Sequence, residues 1–203
     1  MQYSTFAAID IGSYDVILEI FEISKKQGIR SVDKICHRME LGKDTYTLGK
    51  IRPEMEEELC RVLADFVRIM EGYRVDAYRA MASSAISEAA NSLYVLGKIR
   101  QLTGLSVTVL SNSEQRFLGY KALAAMEDNF NKIIEKGTAI LDLDGGSFQI
   151  SLFDKDALVT TQNIRMGSLR VRERLAGIQS ETEHYEEMVE ELIWNCLLYT
   201  SPS

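Results

Sequence analysis

One pattern occurs twice in this chain and constrains its fold more than any other: an apolar strand, an acid, a Gly/Ser turn, then a second strand. The first copy is Phe6-Ala-Ala-Ile-Asp10-Ile-Gly12-Ser13, continuing to Ile17-Leu-Glu-Ile-Phe21. The second is Ala139-Ile-Leu-Asp142-Leu-Asp-Gly145-Gly146-Ser147, continuing to Ile150-Ser-Leu-Phe153. Each predicts a β-hairpin. A lone copy would be an ordinary turn, since Asp and Gly are turn formers. Two copies with matching flanks, about 130 residues apart, point to two similar halves around a cleft. Glycine lets backbone N–H groups approach an oxyanion closely, and an aspartate at a strand end can hold a cation or its water. The candidate oxyanion-binding residues are therefore Gly12, Ser13, Gly145, Gly146 and Ser147, with Asp10 and Asp142 as candidate metal ligands.

Composition narrows the partners. With 203 residues, 46% of them hydrophobic, and two prolines, the chain can bury a substantial core. No apolar run approaches the ~20 residues of a membrane span, and Met1-Gln-Tyr-Ser leads into a strand rather than a secretory signal. The expectation is a cytoplasmic protein with no membrane partner. A net charge of −7 argues against broad nucleic-acid binding, which needs a concentrated basic face. Cys36, Cys60 and Cys196 are odd in number and widely spaced, which predicts neither a disulfide framework nor a zinc site. His37 and His184 are isolated and read as surface residues of a strand and a helix. One basic cluster stands out, Arg165, Arg170, Arg172 and Arg174. It is either a solvated helix face, with Arg170 and Arg174 one turn apart, or a rim that attracts polyanions.

Between the two copies, strands and helices alternate. A strand is expected over Ser31–Leu41, a polar loop over Gly42–Gly49, and a helix from Pro53 to about Gly72 with acids in its first turn. Then come a buried strand over Val75–Met81, a helix over Ser84–Leu102 stopped by Gly104, a strand over Leu105–Leu110 and a helix over Ser111–Asn129. This order predicts an α/β fold with mixed sheets. A charged connection, Asn129–Gly137, precedes the second copy. A strand over Ala157–Arg165 and two helical patterns follow it. The expected division is a first domain over 1–126 and an incomplete second domain over 127–195. The terminal Cys196–Ser203 breaks the preceding amphipathic register and reads as a non-native tail, so Cys196 is given no role.

Two further segments, Ala82-Ser83-Ser84-Ala85-Ile86-Ser87-Glu88-Ala89-Ala90-Asn91 and Leu110-Ser111-Asn112-Ser113-Glu114-Gln115, complete an ordered set of motifs. In order and spacing, from about residue 6 to 176, the chain resembles the exopolyphosphatase / guanosine pentaphosphate phosphatase (Ppx/GppA) family of the actin-like superfamily. The family's D-x-G-S-N-S-x-R-L agrees at Asp10, Gly12, Ser13 and Leu18, but Ile17 replaces the arginine. Its A-T-S-A-x-R-x-A-x-N agrees or nearly agrees at Ala82, Ser83, Ser84, Ala85, Ala89 and Asn91, with Ser87 at the arginine position. In I-S-G-x-E-E-A-R, Glu114 matches the first acid and Gln115 stands at the second. In D-I-G-G-G-S-x-E, Asp142, Gly145, Gly146 and Ser147 match, Asp144 replaces a glycine and Gln149 replaces the glutamate. The later L-x-x-G-S-V-R-L corresponds to Met166-Gly167-Ser168-Leu169-Arg170-Val171.

The resemblance implies an actin-like (ribonuclease H-like) duplicated fold with its second domain incomplete. It also implies Mg²⁺-assisted hydrolysis of a terminal phosphoanhydride in polyphosphate or a guanosine polyphosphate, with a homodimer allowed at full length. It makes Glu114 the catalytic base, adds Ser84 to the phosphate-binding set, and gives Asp10 and Asp142 the metal. Glu114 also fits a capping box with Ser111, in which it would only satisfy a backbone N–H. Two lost arginines and two added acids, Asp15 and Asp144, predict weakened catalysis or a non-catalytic binder of polyphosphate or nucleotide.

Overall fold

The first hairpin forms as its apolar alternation requires. Strand β1 (Ser4–Ile11) pairs antiparallel with β2 (Asp15–Ser24), which pairs antiparallel with β3 (Gly28–Arg38). Ala7, Ile9 and Ile11, and across from them Val16, Leu18 and Ile20, are fully buried, the period of two expected of a sheet with one face in the core. In the computed structural model, which describes residues 3–127, 129–176 and 185–200, the chain divides into two units, Met1–Ser111 and Asn112–Ser203.

In the first unit, β4 (Ala77–Ala82) lies parallel to β1, and β5 (Val107–Val109) lies parallel to β4. The result is a mixed sheet in the order β3-β2-β1-β4-β5. Its core is completed by α2 (Pro53–Gly72), through Leu59, Leu63, Phe66 and Met70, and by α4 (Ser92–Thr103), through Val95 and Ile99. Proline in the first turn of α2, with Glu54 and Glu56 beside it, suits the missing N–H and the positive end of the helix dipole.

Two expectations are corrected here. Gly42–Gly49 is not a loop: Leu41–Leu48 is a helix, α1, closed by Gly49 at φ 71°. Its glycine and threonines are poor helix formers, but tertiary bonds outweigh propensity. The buried Asp44 carboxylate accepts the backbone N–H and the guanidinium of Arg52 at 2.9–3.0 Å, and the Thr45 hydroxyl donates to the Ala85 carbonyl at 2.7 Å. The single helix expected over Ser84–Leu102 is also broken, into α3 (Ser84–Ser87) and α4.

Asn91 marks the break and gives its reason. Its side-chain amide brackets Ile51, accepting the Ile51 N–H at 3.0 Å and donating to the Ile51 carbonyl at 2.8 Å, and it donates to Glu56 at 2.8 Å. Asn91→Ala strands both backbone groups of a residue that is 1% exposed. The expected loss is about 2–4 kcal/mol in urea unfolding. A change under about 0.5 kcal/mol would show that water or a neighbour replaces the amide.

The second unit opens with α5 (Asn112–Met126) and a short α6 (Phe130–Ile134), the latter within the expected connection. Strands β6 (Thr138–Leu143), β7 (Phe148–Asp154) and β8 (Ala157–Ile164) form a meander in the order β6-β7-β8. This repeats the plan of β1-β2-β3, and among the described residues the second sheet is wholly antiparallel rather than mixed. Helices α7 (Ser168–Leu175) and α8 (Tyr185–Thr200) follow. His37 is exposed on β3, with Nε2 at 3.4 Å from Glu58 Oε1, while His184 lies outside the described residues. Cys36 and Cys60 are free thiols. Among the described residues, no helix is long and apolar enough to cross a membrane.

Candidate functional site

In the first unit the hairpin turn is tied to α1 and α3. Gly12 donates its N–H to the Asp15 carbonyl at 3.0 Å, and a Cβ at Gly12 would meet that same oxygen at 3.0 Å, so a side chain there would press on the turn. The carbonyls of Ser13 and Tyr14 accept from Gly42, Met39 and Glu40 at 2.9 Å. Ser13 and Ser84, both buried, come together with Tyr46 in a ring of hydroxyls: Ser13 Oγ to Tyr46 Oη 2.7 Å, Tyr46 Oη to Ser84 Oγ 2.8 Å, Ser13 Oγ to Ser84 Oγ 3.2 Å. Each member can donate and accept, so the ring can reorient its protons toward an anion. Sequence reasoning misses Tyr46 because it lies in the segment expected to be a loop and belongs to no motif. Asp10, near the end of β1, is exposed, and Ser87 is exposed at the arginine position. Tyr14 has its ring centroid 5.0 Å from the Arg38 guanidinium.

In the second unit, Asp142 sits on β6 opposite Gln149. Its surface is accessible, yet burial of part of the carboxyl, and then the charge of Asp144, raise its pKa above the usual aspartate value. In the turn, the Asp144 carboxylate is heavily engaged. Oδ1 accepts the N–H of Gly146 at 2.5 Å and of Ser147 at 2.6 Å, and Oδ2 accepts from Gln115 Nε2 at 3.2 Å. Gln149 is buried and 3.5 Å from Asn163 Nδ2, which also donates to Ser147 Oγ at 3.3 Å.

The start of α7 fastens this turn from beneath. Ser168 N–H donates to the Asp144 carbonyl at 2.9 Å, and the N–H groups of Leu169 and Arg170 donate to the Gly145 carbonyl at 3.1 Å. Arg170 Nε donates to the Gly146 carbonyl at 3.0 Å, and Arg172 pairs with Glu173 at 2.9 Å. Arg170 thus supports the turn's backbone, a role that neither sequence reading of the basic cluster contains. At Gly167 a Cβ would collide with the backbone of Gly145, Gly146 and Ser147.

Glu114 occupies the first turn of α5 and is exposed. This helix buries no residue fully, so polar contacts to the sheet fix it. Arg116 Nη1 reaches Thr161 Oγ1 at 3.3 Å, Tyr120 donates to Ser151 Oγ at 2.5 Å, and the Tyr120 ring meets Phe153 edge-on at 5.1 Å. Arg116 and Tyr120 are one helical turn apart, and Gln115, the residue beside Glu114, donates to Asp144 of the turn.

Among the described residues, no group of three or more His, Cys, Asp or Glu side chains converges on a metal position. The donor chemistry nevertheless fits a hard dication. Mg²⁺ commonly takes one or two protein carboxylates and fills its remaining positions with water and substrate phosphate. Asp142, whose pKa is raised by partial burial and then by the charge of Asp144, is the kind of ligand such an ion would relieve.

Residues 19–197 match the profile of the Ppx/GppA phosphatase family. The chain is 21% identical, over 83% of its length, to a bifunctional 3-dehydroquinate synthase/phosphatase of Fusobacterium nucleatum, of which it covers 26%. It is 26% identical, over 70% of its length, to exopolyphosphatase 1 of Mycobacterium leprae, of which it covers 41%. It thus spans about a quarter to two-fifths of these relatives. The crystal structure of the Aquifex aeolicus Ppx/GppA family member superposes with a TM-score of 0.68 at 24% identity, covering 85% of this chain and 54% of that one. The fold shared with that structure is the actin-like one. With a family match over residues 19–197, most of its length, the chain belongs to the Ppx/GppA phosphatase family.

Proposed function

We propose that this chain carries phosphoanhydride-hydrolysing machinery for inorganic polyphosphate or guanosine pentaphosphate, with weakened catalysis, acting in the cytoplasm. The observation that carries the reading is the family match over residues 19–197, with Glu114 retained on a helix anchored to the sheet of the second Gly-Ser turn. In this reading Glu114 accepts a proton from water as the water oxygen bonds to the terminal phosphorus. The bond from that phosphorus to the bridging oxygen breaks, and the shortened chain leaves with the electron pair. Gly145, Gly146 and Ser147 hold phosphoryl oxygens, as do Gly12, Ser13 and Ser84 in the first unit. Asp10 and Asp142 are the proposed Mg²⁺ ligands. Mg²⁺ bound at either aspartate would offset charge developing on the phosphoryl oxygens.

The weakening is inferred from Ile17, Ser87 and Gln149 at positions where the family pattern has Arg, Arg and Glu. The second reading, a non-catalytic binder of polyphosphate or nucleotide, is favoured by the engagement of the Gly146 and Ser147 N–H groups by Asp144.

The test is phosphate release from long-chain polyphosphate and from guanosine pentaphosphate with Mg²⁺, set against Asp142→Asn. Release from one substrate that falls at least about tenfold in the variant supports the hydrolase and names its substrate. Polyphosphate binding without release from either substrate would sink the enzyme and leave the binder.

A further inference from the structure

Two positions where this chain departs from its family's motifs touch each other. Asp144 stands where the pattern has glycine, Gln115 where it has the second acid, and Gln115 Nε2 donates to Asp144 Oδ2 at 3.2 Å. A glutamate at 115 would set a second negative charge against Asp144, whereas glutamine supplies a donor. With Gln115 on one oxygen, the other accepts both the Gly146 and the Ser147 N–H. These two N–H groups are among the donors that a phosphoryl oxygen would need in this turn.

We propose that Asp144, braced by Gln115, is an internal ligand of the second turn: its carboxylate holds the place of a phosphoryl oxygen and must leave before a phosphate can bind there. This inference rests on the phosphate-binding reading of the turn. A carboxylate oxygen accepting two convergent N–H groups makes the same kind of contact as a phosphate oxygen in such a concavity, and its negative charge repels a second anion. The backbone is already set for the exchange. The N–H groups of Ser168, Leu169 and Arg170 hold the Asp144 and Gly145 carbonyls, with Gly167 close against the turn's backbone, leaving the turn in place when the side chain swings away. Asp144 therefore determines which ligands the site accepts: a polyanion must displace it, while a neutral ligand gains no access to the two donors.

The experiment titrates inorganic tripolyphosphate into the unaltered protein, Asp144→Gly and Asp144→Asn, in Mg²⁺ buffer, following heat and the amide resonances of Gly146 and Ser147. The asparagine side chain keeps an acceptor oxygen without the charge, so Asp144→Asn also serves if the glycine variant fails to fold. The expected result is tripolyphosphate binding at least about tenfold tighter in Asp144→Gly, a smaller gain in Asp144→Asn, and ligand shifts at both amides. Equal affinity with the same amide shifts in all three proteins would overturn the inference and leave the phosphate reading standing, as the turn would be open despite Asp144. Binding that leaves both amides unmoved would overturn it too. No binding and no phosphate release by any of the three would bring down the phosphate reading as well.

Discussion

Glu114→Gln should slow phosphate release by roughly 10²- to 10⁴-fold while leaving unfolding stability within about 0.5 kcal/mol. The two halves of this expectation separate chemistry from architecture. A capping box accepts glutamine as readily as glutamate, because either side chain can receive the backbone N–H at the helix start. An amide, however, cannot take a proton from water. If Glu114 only caps α5, the variant keeps both its rate and its stability. If Glu114 is the base, the rate falls alone. Loss of both together would mean that α5 itself had shifted. That helix buries no residue fully and depends on Arg116 and Tyr120 for its seat. Steady-state phosphate release and urea unfolding on the same preparation decide among these outcomes.

Gly167→Ala should strongly destabilise the second unit, costing about 3 kcal/mol or more. The backbone at Gly167, with φ −70° and ψ 161°, is ordinary for any residue, so conformational freedom is not the reason for glycine. The reason is proximity: an added Cβ would fall on main-chain atoms of Gly145, Gly146 and Ser147, and backbone cannot swing aside as a flexible side chain can. Relief requires lifting the turn off α7, which breaks the bonds from Ser168, Leu169 and Arg170 to the Asp144 and Gly145 carbonyls. For a chain of this size that corresponds to a fall in melting temperature of roughly 6–12 °C. A fall of about a degree would show that the turn tolerates displacement and does not need α7 to hold its shape.

How much of this was legible in the sequence depends on where the determining bonds lie. Both hairpins were readable because β1, β2, β6 and β7 announce themselves by local alternation and by turn residues. Helix α2 was readable from Pro53 and its acidic first turn. Helix α1 was not, since Asp44 and Thr45 are held by Arg52 and Ala85 rather than by their sequence neighbours. The break at Asn91 was hidden for a similar reason, as its partner Ile51 lies 40 residues away. In the candidate site, motif order pointed to Ser13, Ser84 and Glu114. Tyr46, which joins the two serines, left no signal because hydroxyl rings have no spacing rule. Asp144 was visible as an added charge. That it satisfies the turn's own N–H groups, with Gln115 behind it, emerges only when a motif on α5 is seen against one between β6 and β7.

The first unit's strand order also governs how this chain meets the ribosome. β2 and β3 follow β1 directly, but β4, which completes the other side of β1, pairs Ala77 with Phe6 about 70 residues later. At roughly 5–20 residues per second, the open edge of β1 waits about 4–14 s for its partner. Throughout that interval Ile9 and Ile11, fully buried in the finished fold, lie in a strand that is paired on one side only. Synthesis rate, rather than equilibrium stability, then sets how long the nascent chain offers a strand edge to chaperones or to neighbouring copies of itself.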